Sequence, residues 1–193
     1  APSANLFTCT SPTTARHVQE QLGQNCKIVI DGGSCRVGLE STVISFTGPI
    51  PTVLRPGGVP IEAIENTIGK VNIAKPAQEQ SDKLESPGMI LNHYAPATKL
   101  RAFHNIPASY ADQNDIGLLL FKPSDVEFSG VIEILSRTGN CSEAASNYFA
   151  ALSRLDQLGL REIIAEYAPD QGLGRAINNR LTKAAMGRLT HHV

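Results

Sequence analysis

Along the amino-terminal part of the chain, apolar residues recur in short periodic runs that glycine and proline interrupt. Ala15, Val18 and Leu22 share helical spacing and predict a helix that stops at Gly23. Ser11 fits the N-cap of this helix, because Pro12 then occupies the first helical position, where a missing N–H costs nothing.

Strand-length runs rich in β-branched residues follow this helix, and a turn signal ends each of them. They predict strands at residues 27–31, 42–46 and 52–54. A second helix is predicted to start at Pro60 and to close at Gly69, since the isoleucines between them share one face.

From residue 99 onward, predicted strands alternate with predicted helices. The strands fall at residues 100–103, 116–121, 131–135 and 163–167, and the helices at 142–155, capped by Ser142, and 175–186. Such alternation favours an α/β layer with a parallel sheet. Gly172-Leu-Gly174 faintly resembles a dinucleotide-binding loop, but it lacks the third glycine and is a weak signal.

Residues 71–98 lack periodicity and separate these two parts of the chain. A stretch of this length without regular elements is either an interdomain tether or a functional loop. The His93-Tyr94 pair, followed by Pro96, is an odd composition for a tether, which favours small solvated residues. We therefore divide the chain into residues 1–70, 71–98 and 99–193.

Composition and charge exclude several classes of protein. The chain has 193 residues, with 17 basic and 18 acidic side chains and a net charge of −1, so no global field attracts nucleic acid or an anionic membrane. No run is long enough to span a membrane, and no signal-peptide pattern is present. Four cysteines without metal-ligand spacing favour reduced thiols, and we expect a cytoplasmic protein.

The chemistry-bearing residues suit the binding of a nucleotide better than covalent catalysis. No nucleophilic triad, zinc motif or paired carboxylate is recognisable, so we predict no catalytic side chain and no metal ligands. Hydroxyl, amide and guanidinium groups instead cluster near a helix start, a strand start and a Pro-Gly-Gly turn: Ser3, Asn5, Ser11, Ser41, Thr42 and Arg55. Taken singly, each could be a cap, a strand start or a solvated loop residue.

In order along the chain, these residues belong to a series of short motifs. They are Ala1-Pro-Ser-Ala-Asn5, Ser11-Pro-Thr-Thr14, Asp31-Gly-Gly33, Val37-Gly-Leu-Glu-Ser-Thr-Val43, Leu54-Arg-Pro-Gly57, Ser86-Pro-Gly-Met89 and His93-Tyr-Ala-Pro96. The series resembles the YrdC family of threonylcarbamoyl-adenylate synthases in its two-domain form. Gly172-Leu-Gly174 and Ala176-Ile-Asn-Asn-Arg180 resemble the C-terminal domain of that form.

The resemblance implies an α/β fold in three parts. Residues 1–70 would be the C-terminal part of a YrdC-like twisted-sheet domain, residues 71–98 a linker that folds over the active site as a lid, and residues 99–193 a Rossmann-like domain. The implied enzyme is a nucleotidyltransferase that makes L-threonylcarbamoyl-adenylate from ATP, L-threonine and bicarbonate and releases diphosphate. The product serves N6-threonylcarbamoylation of adenosine at position 37 of tRNA.

The resemblance also implies roles for individual residues. ATP, as substrate and accompanied by Mg²⁺, would contact Ser3, Ser11, Arg55 and Tyr94. L-threonine would lie against Ala1 and Ser41, with Asn5, Thr42 and His93 in support. The expected partners are these small molecules and the machinery that transfers the product to tRNA, with weak or no direct RNA binding and no membrane.

Two features depart from the family pattern. The family's basic cluster, which grips the triphosphate, precedes the region that this chain matches, so we expect an incomplete piece that is inactive or nearly so alone. Thr8-Cys9-Thr10 stands where the family usually has a glycine and a more basic residue, which changes the shape of that loop.

Two other functions stay open at this point. An RNA-binding or translation-regulatory module is the main alternative, although the net charge and the lack of a basic stripe count against it. A carbamoyl-transfer role of a YrdC-like domain in hydrogenase maturation would be expected to bring zinc-finger cysteines, and their spacing is absent from this sequence.

Overall fold

The computed structural model describes residues 4–6, 9–74, 95–125 and 127–186, and two β-sheets organise them. The strands are β1 (Val43–Ser45), β2 (Thr52–Arg55), β3 (Asn72–Ile73), β4 (Lys99–Phe103), β5 (Ile116–Leu120), β6 (Val131–Ile134) and β7 (Glu162–Glu166). The helices are α1 (Ala15–Leu22), α2 (Ile61–Ile68), α3 (Cys141–Asp156) and α4 (Gly174–Ala185), with short 3-10 turns at Gly23–Asn25 and Ala108–Tyr110.

The second sheet is a parallel sheet, as the alternation of strands and helices predicts. Its strand order is β4-β7-β5-β6, and all three pairings are parallel. Every residue of β5 is buried, because side chains on one face of the sheet join the α3–α4 core and those on the other pack beside Tyr110. The sequence-predicted bounds of these four strands are correct to one residue.

Helices α3 and α4 supply most of the larger hydrophobic core. Phe149, Leu152 and Leu155 on α3 and Ile177 and Leu181 on α4 are buried, and all five belong to that core. These residues recur at three- and four-residue spacing, so each helix turns one apolar face to the sheet.

The first sheet is smaller and mixed. Strands β1 and β2 pair antiparallel and β2 and β3 pair parallel. Helix α2 covers this sheet through Ile61 and Ile64, which pack with Val53 and Val71 in a separate core cluster. Strand β3 lies within the stretch expected to lack regular structure, so that expectation is wrong for residues 72–73, while residues 75–94 lie outside the described residues.

The strand predicted at residues 27–31 is absent from the structure. Its two isoleucines lie open to solvent, with Ile28 81% and Ile30 89% exposed. A strand is stabilised by hydrogen bonds and side-chain pairs from a neighbouring strand, and no strand of the described residues pairs with this segment. The β-propensity of the run is therefore not enough to form a strand by itself.

Two predicted helix caps are also wrong by a few residues. Thr14, not Ser11, caps α1, since its hydroxyl accepts from the His17 N–H at 3.2 Å. Asn140 caps α3, so Ser142 lies inside the helix. In both cases a side chain nearer the chain's actual entry into the helix satisfies the first free N–H groups.

Two further observations concern the whole described chain. No helix among the described residues is long and apolar enough to cross a membrane. All four cysteines are free thiols.

We predict that two isoleucines of opposite environment respond differently to truncation. Ile163→Ala, in the buried strand β7, should lower the free energy of unfolding by about 2–5 kcal/mol because it leaves a cavity. Ile28→Ala should change it by no more than about 0.5 kcal/mol. Urea unfolding of the 193-residue chain measures both, and a loss for Ile28→Ala as large as that for Ile163→Ala would contradict the exposure of residues 27–31.

Candidate functional site

Ser41 and Arg55 lie against each other at the edge of the first sheet. The antiparallel register places Val43 opposite Arg55, so the loop before β1 passes beside the end of β2. The Arg55 guanidinium donates to the Ser41 carbonyl oxygen from Nε at 3.2 Å and from Nη2 at 2.9 Å, and Nη2 also lies 3.2 Å from Ser41 Oγ. Arg55 is thus a positioned guanidinium rather than a freely solvated one.

Thr42 and Glu40 fasten the same loop to the turn that follows β2. Thr42 Oγ1 donates to the Val59 carbonyl at 2.7 Å and accepts from the Val59 N–H at 3.0 Å. The Gly58 N–H donates to the Glu40 carbonyl at 2.8 Å. These bonds fix the course of residues 40–42, which we name the serine loop.

A glycine makes this close approach possible. A Cβ atom on Gly57 would lie 2.4 Å from backbone atoms of Glu40, Ser41 and Thr42. Backbone atoms have no freedom to move aside as the tip of a flexible side chain has, so only glycine fits here. The Arg-Pro-Gly-Gly turn therefore stacks directly on the serine loop.

The Glu40 carboxylate joins the serine loop to two distant residues, Ser11 and Arg180. The Ser11 hydroxyl donates to Glu40 Oε1. Arg180, from α4 and fully buried, donates to Glu40 Oε2 from Nε at 3.0 Å and from Nη2 at 2.8 Å. Arg180 Nη1 also donates to the Pro56 carbonyl. One buried guanidinium thus links α4 to the serine loop and to the turn after β2.

The surroundings of Glu40 keep its carboxyl group ionised. Burial alone raises its pKa, but the charge of Arg180 and the hydrogen bonds from Ser11 and Arg180 act in the opposite direction and prevail, so the pKa lies below its ordinary value. Glu40 is therefore a carboxylate at neutral pH and accepts hydrogen bonds without donating any.

Lys183 adds a third cation to this region. Its side chain lies on α4 three residues after Arg180 and is only 4% exposed. Burial, and then the positive charges of Arg180 and Arg55, lower its pKa to about 8, while Glu40 acts to raise it. Three cationic side chains thus influence one small volume, an arrangement suited to an anionic ligand.

A cavity of about 520 Å³ lies between the first sheet with α2 and the side chains of α4. Leu54, Ile61 and Val71 form part of its apolar wall, while Arg175 and Lys183 contribute polar groups. Its volume is in the range of small-molecule sites, and both sheet units contribute to its wall.

The structure brings together four of the residues that the sequence singles out: Ser11, Ser41, Thr42 and Arg55 all belong to the bonded network around the serine loop. Asn5 donates to the adjacent Leu6 carbonyl at 2.9 Å and has no described tie to this network. Ala1, Ser3, His93 and Tyr94 lie outside the described residues. Within the described ranges, no group of three or more His, Cys, Asp or Glu side chains converges as a metal site.

Sequence reasoning missed Glu40, Arg180 and Lys183 as parts of this site. One signal for Arg180 was present: it shares the apolar face of α4 with Ile177 and Leu181, an unusual position for a charge without a partner. The sequence offers no way to identify that partner, since Glu40 precedes Arg180 by 140 residues.

Two protein-family models together match residues 1–57 and 59–186 of this chain. The family model described as "Threonylcarbamoyl-AMP synthase, C-terminal domain" matches residues 59–186. A second family model, Sua5/YciO/YrdC, described as "Telomere recombination", matches residues 1–57.

Two curated relatives with the same name match nearly the whole chain. The threonylcarbamoyl-AMP synthase of Bacillus subtilis is 38% identical over 98% of this chain and 57% of its own length. Its namesake from Pyrococcus abyssi is 36% identical over 98% of this chain and 58% of its own length. The chain therefore spans somewhat more than half the length of these relatives.

Solved structures share the fold. The crystal structure of P. abyssi Sua5 complexed with L-threonine matches with a TM-score of 0.80 and 34% identity, over 97% of this chain and 58% of the other. A variant of the same protein, with a neighbouring histidine and tyrosine both replaced by alanine, matches with a TM-score of 0.79 and 32% identity over 100% of this chain and 59% of the other.

We predict that Gly57→Ala destabilises the protein by about 1–3 kcal/mol, because the added methyl group meets backbone of the serine loop. Gly32→Ala is the matched control, since a Cβ there has no neighbour within 4 Å, and it should be neutral or slightly stabilising. Urea unfolding compares them. Equal effects would contradict the close approach.

We also predict a pH dependence of stability from Lys183. The native pKa is about 8, below the ordinary lysine value of about 10.4. Between these values the unfolded chain binds more protons, so the free energy of unfolding rises with pH in that window. Lys183→Met should remove that rise, and Lys70→Met, at an exposed lysine, should keep it. Urea unfolding midpoints measured from pH 7.5 to 10.5 test the prediction. The same rise of stability with pH in Lys183→Met as in the unmodified chain would contradict it.

Proposed function

This chain belongs to the threonylcarbamoyl-AMP synthase family, and we propose that the gene product carrying it makes L-threonylcarbamoyl-AMP from ATP, L-threonine and bicarbonate. The single observation that carries this proposal is the bonded network that joins Ser11, the serine loop and Arg55 in one place. Its hydroxyl and guanidinium groups are of the kind that bind a nucleotide and a small amino acid.

The proposed roles divide the network between two substrates. Ser11 and Arg55 contact ATP, and Ser41 contacts L-threonine, with Thr42 holding the serine loop in place. Arg55 already turns its guanidinium toward Ser41 at hydrogen-bond distance. A phosphate bound by Arg55 and an amino acid bound at Ser41 would therefore be neighbours, as a transfer between them requires.

Four residues outside the described ranges, together with Asn5, complete the proposal. Ala1 belongs with the L-threonine contacts and Ser3 and Tyr94 with the ATP contacts, while Asn5 and His93 support them. Residues 71–98 would close over the nucleotide. One solved structure of a relative is a variant in which an adjacent histidine and tyrosine are both replaced by alanine. This choice of residues is in line with a functional role for His93 and Tyr94.

The chemistry needs position and charge stabilisation more than a covalent nucleophile. L-threonine and bicarbonate give a carbamate with loss of water, a carbamate oxygen then bonds to the α-phosphorus of ATP, and the bond to diphosphate breaks. Arg55, with its fixed guanidinium, would stabilise charge on the phosphate oxygens. Mg²⁺ would arrive with the phosphates, since this ion usually binds substrate oxygens and few protein groups.

The proposal also covers the fate of the product and the place where the protein acts. The product would pass to the machinery that forms N6-threonylcarbamoyladenosine at position 37 of tRNA, in the cytoplasm and without a membrane. Weak or no direct RNA binding remains our prediction, in line with 17 basic against 18 acidic residues. The Rossmann-like description of residues 99–193 also remains a proposal beyond the observed parallel sheet.

The test is diphosphate release by the complete gene product with ATP, L-threonine and bicarbonate, with the adenylate product identified by mass spectrometry. Release should need all three substrates. Arg55→Met should lower kcat/KM by about 100-fold or more, because it removes a charge-stabilising donor. Arg16→Met is the control, since Arg16 is an exposed side chain of α1 that pairs with Glu20 four residues later, and it should retain full activity.

Two results would contradict the proposed function. One is diphosphate release that does not depend on L-threonine, and the other is full activity in Arg55→Met. The same assay on the 193 residues alone tests the expectation that they are inactive or nearly so by themselves, and turnover equal to that of the B. subtilis relative would overturn that expectation.

A further inference from the structure

The direction of one hydrogen bond decides what Ser11 can offer a ligand. A serine hydroxyl has one proton to donate and two lone pairs that accept. The Ser11 hydroxyl contacts Glu40 Oε1, and Glu40 Oε2 receives two N–H groups of Arg180. The protonation of Glu40 therefore settles which of the two oxygens supplies the proton between Ser11 and Glu40.

Arg180 keeps that proton on Ser11. Its side chain is fully buried, and an arginine stays charged at any ordinary pH. A buried cation 2.8 Å from Glu40 Oε2 requires a carboxylate beside it, because an unpaired buried charge is strongly unfavourable. An ionised carboxylate has no proton to give, so Ser11 must be the donor.

With its proton committed to Glu40, Ser11 has only acceptor capacity left. Phosphate oxygens of a nucleotide are themselves acceptors at neutral pH and cannot pair with it. The hydroxyls of a ribose and the amino group of adenine are donors and can. Ser11 is half-buried, so its free lone pairs are open to such a group.

We propose, on the basis of the function proposed above, that Ser11 accepts a hydrogen bond from the nucleoside part of ATP and contacts none of its phosphates. Arg180 is a positioning residue in this arrangement. It sets the polarity of Ser11 through Glu40 without contact to the substrate. The second sheet unit thereby takes part in nucleotide recognition from a distance, through the Arg180 guanidinium of α4 that binds Glu40 of the serine loop.

The closing experiment measures affinities by calorimetry for the complete gene product and for Ser11→Ala. The ligands are ATP, 2′-deoxy-ATP, 3′-deoxy-ATP, inosine triphosphate and inorganic tripolyphosphate. Loss of one neutral hydrogen bond should weaken ATP binding about 3- to 10-fold. For the one analogue that lacks the partner group, Ser11→Ala should cause no loss. A deoxy analogue would identify a ribose hydroxyl, and inosine triphosphate the adenine amino group.

Glu40→Gln provides a second variant with nearly unchanged shape. Its amide can donate to Ser11, which releases the Ser11 proton, while the second lone pair of Ser11 still accepts from the nucleoside. Glu40→Gln should therefore weaken ATP binding less than Ser11→Ala does, and it should keep the difference between ATP and the analogue that lacks the partner group. A purely structural role of Glu40 would weaken all ligands alike. Ser129→Ala is the matched control, since Ser129 is exposed on the far sheet unit, and it should leave every affinity unchanged.

Each other outcome overturns the proposal. An equal loss on every nucleotide and on tripolyphosphate would assign Ser11 to the phosphates. No loss on ATP, or a loss that persists on all three analogues, would remove Ser11 from nucleoside recognition. In both cases formation of threonylcarbamoyl-AMP would continue to support the proposed function. Failure of the intact protein to bind ATP or to form that product would reject the proposed function itself.

Discussion

A buried ion pair between Arg180 and Glu40 is the constraint on which the rest of the site depends. Arg180 is fully enclosed, and the carboxylate that neutralises it comes from a loop on the other sheet unit. Removal of one partner of such a pair costs about 3–5 kcal/mol, because the other charge is left buried without compensation. The same guanidinium also binds the Pro56 carbonyl, so three segments distant in sequence meet at one side chain.

Close packing at two glycines adds to the Arg180–Glu40 ion pair and restricts the backbone around the serine loop. Gly38, at φ +71, would place a Cβ within 2.5–2.7 Å of backbone atoms of Ala145 and Ser146 in α3. Gly57 holds the turn after β2 equally close to the serine loop. Gly38 packs against α3 and residues 40–42 pack against the turn after β2, so the segment 38–42 has little freedom. The positions of Ser41 and Arg55 therefore follow from backbone packing as much as from their own hydrogen bonds.

The sequence predicted the second sheet well, because its signals are local. The run at β5 is buried on both faces, and α3 and α4 have clear apolar faces, so periodicity alone locates them. The segment 27–31 is richer in β-branched residues than β5, yet its predicted strand is absent, since a strand also needs a neighbouring strand and none of the described strands pairs with it. The prediction for the cap of α1 was wrong by three residues. Ser11 and Thr14 are both residue types that cap helices well, but the Ser11 hydroxyl binds Glu40 and Thr14 caps the helix.

The site was partly predictable, because its motifs are also local in sequence. Motif resemblance pointed to Ser11, Ser41 and Arg55, and the structure places them in one network. It gave no sign of the pairing of Glu40 with Arg180, because a contact across 140 residues leaves no local pattern. A long-range ion pair depends on which distant segments the chain topology brings together, and only the folded structure shows that.

A double-mutant cycle on the ion pair tests this account most directly. Unfolding free energies would be measured for the unmodified chain, Arg180→Met, Glu40→Gln and the double variant. We expect each single change to cost several kcal/mol and the double change to cost little more than one of them, a coupling of about 2–3 kcal/mol. Costs that add to within about 0.5 kcal/mol would contradict the central role of this pair.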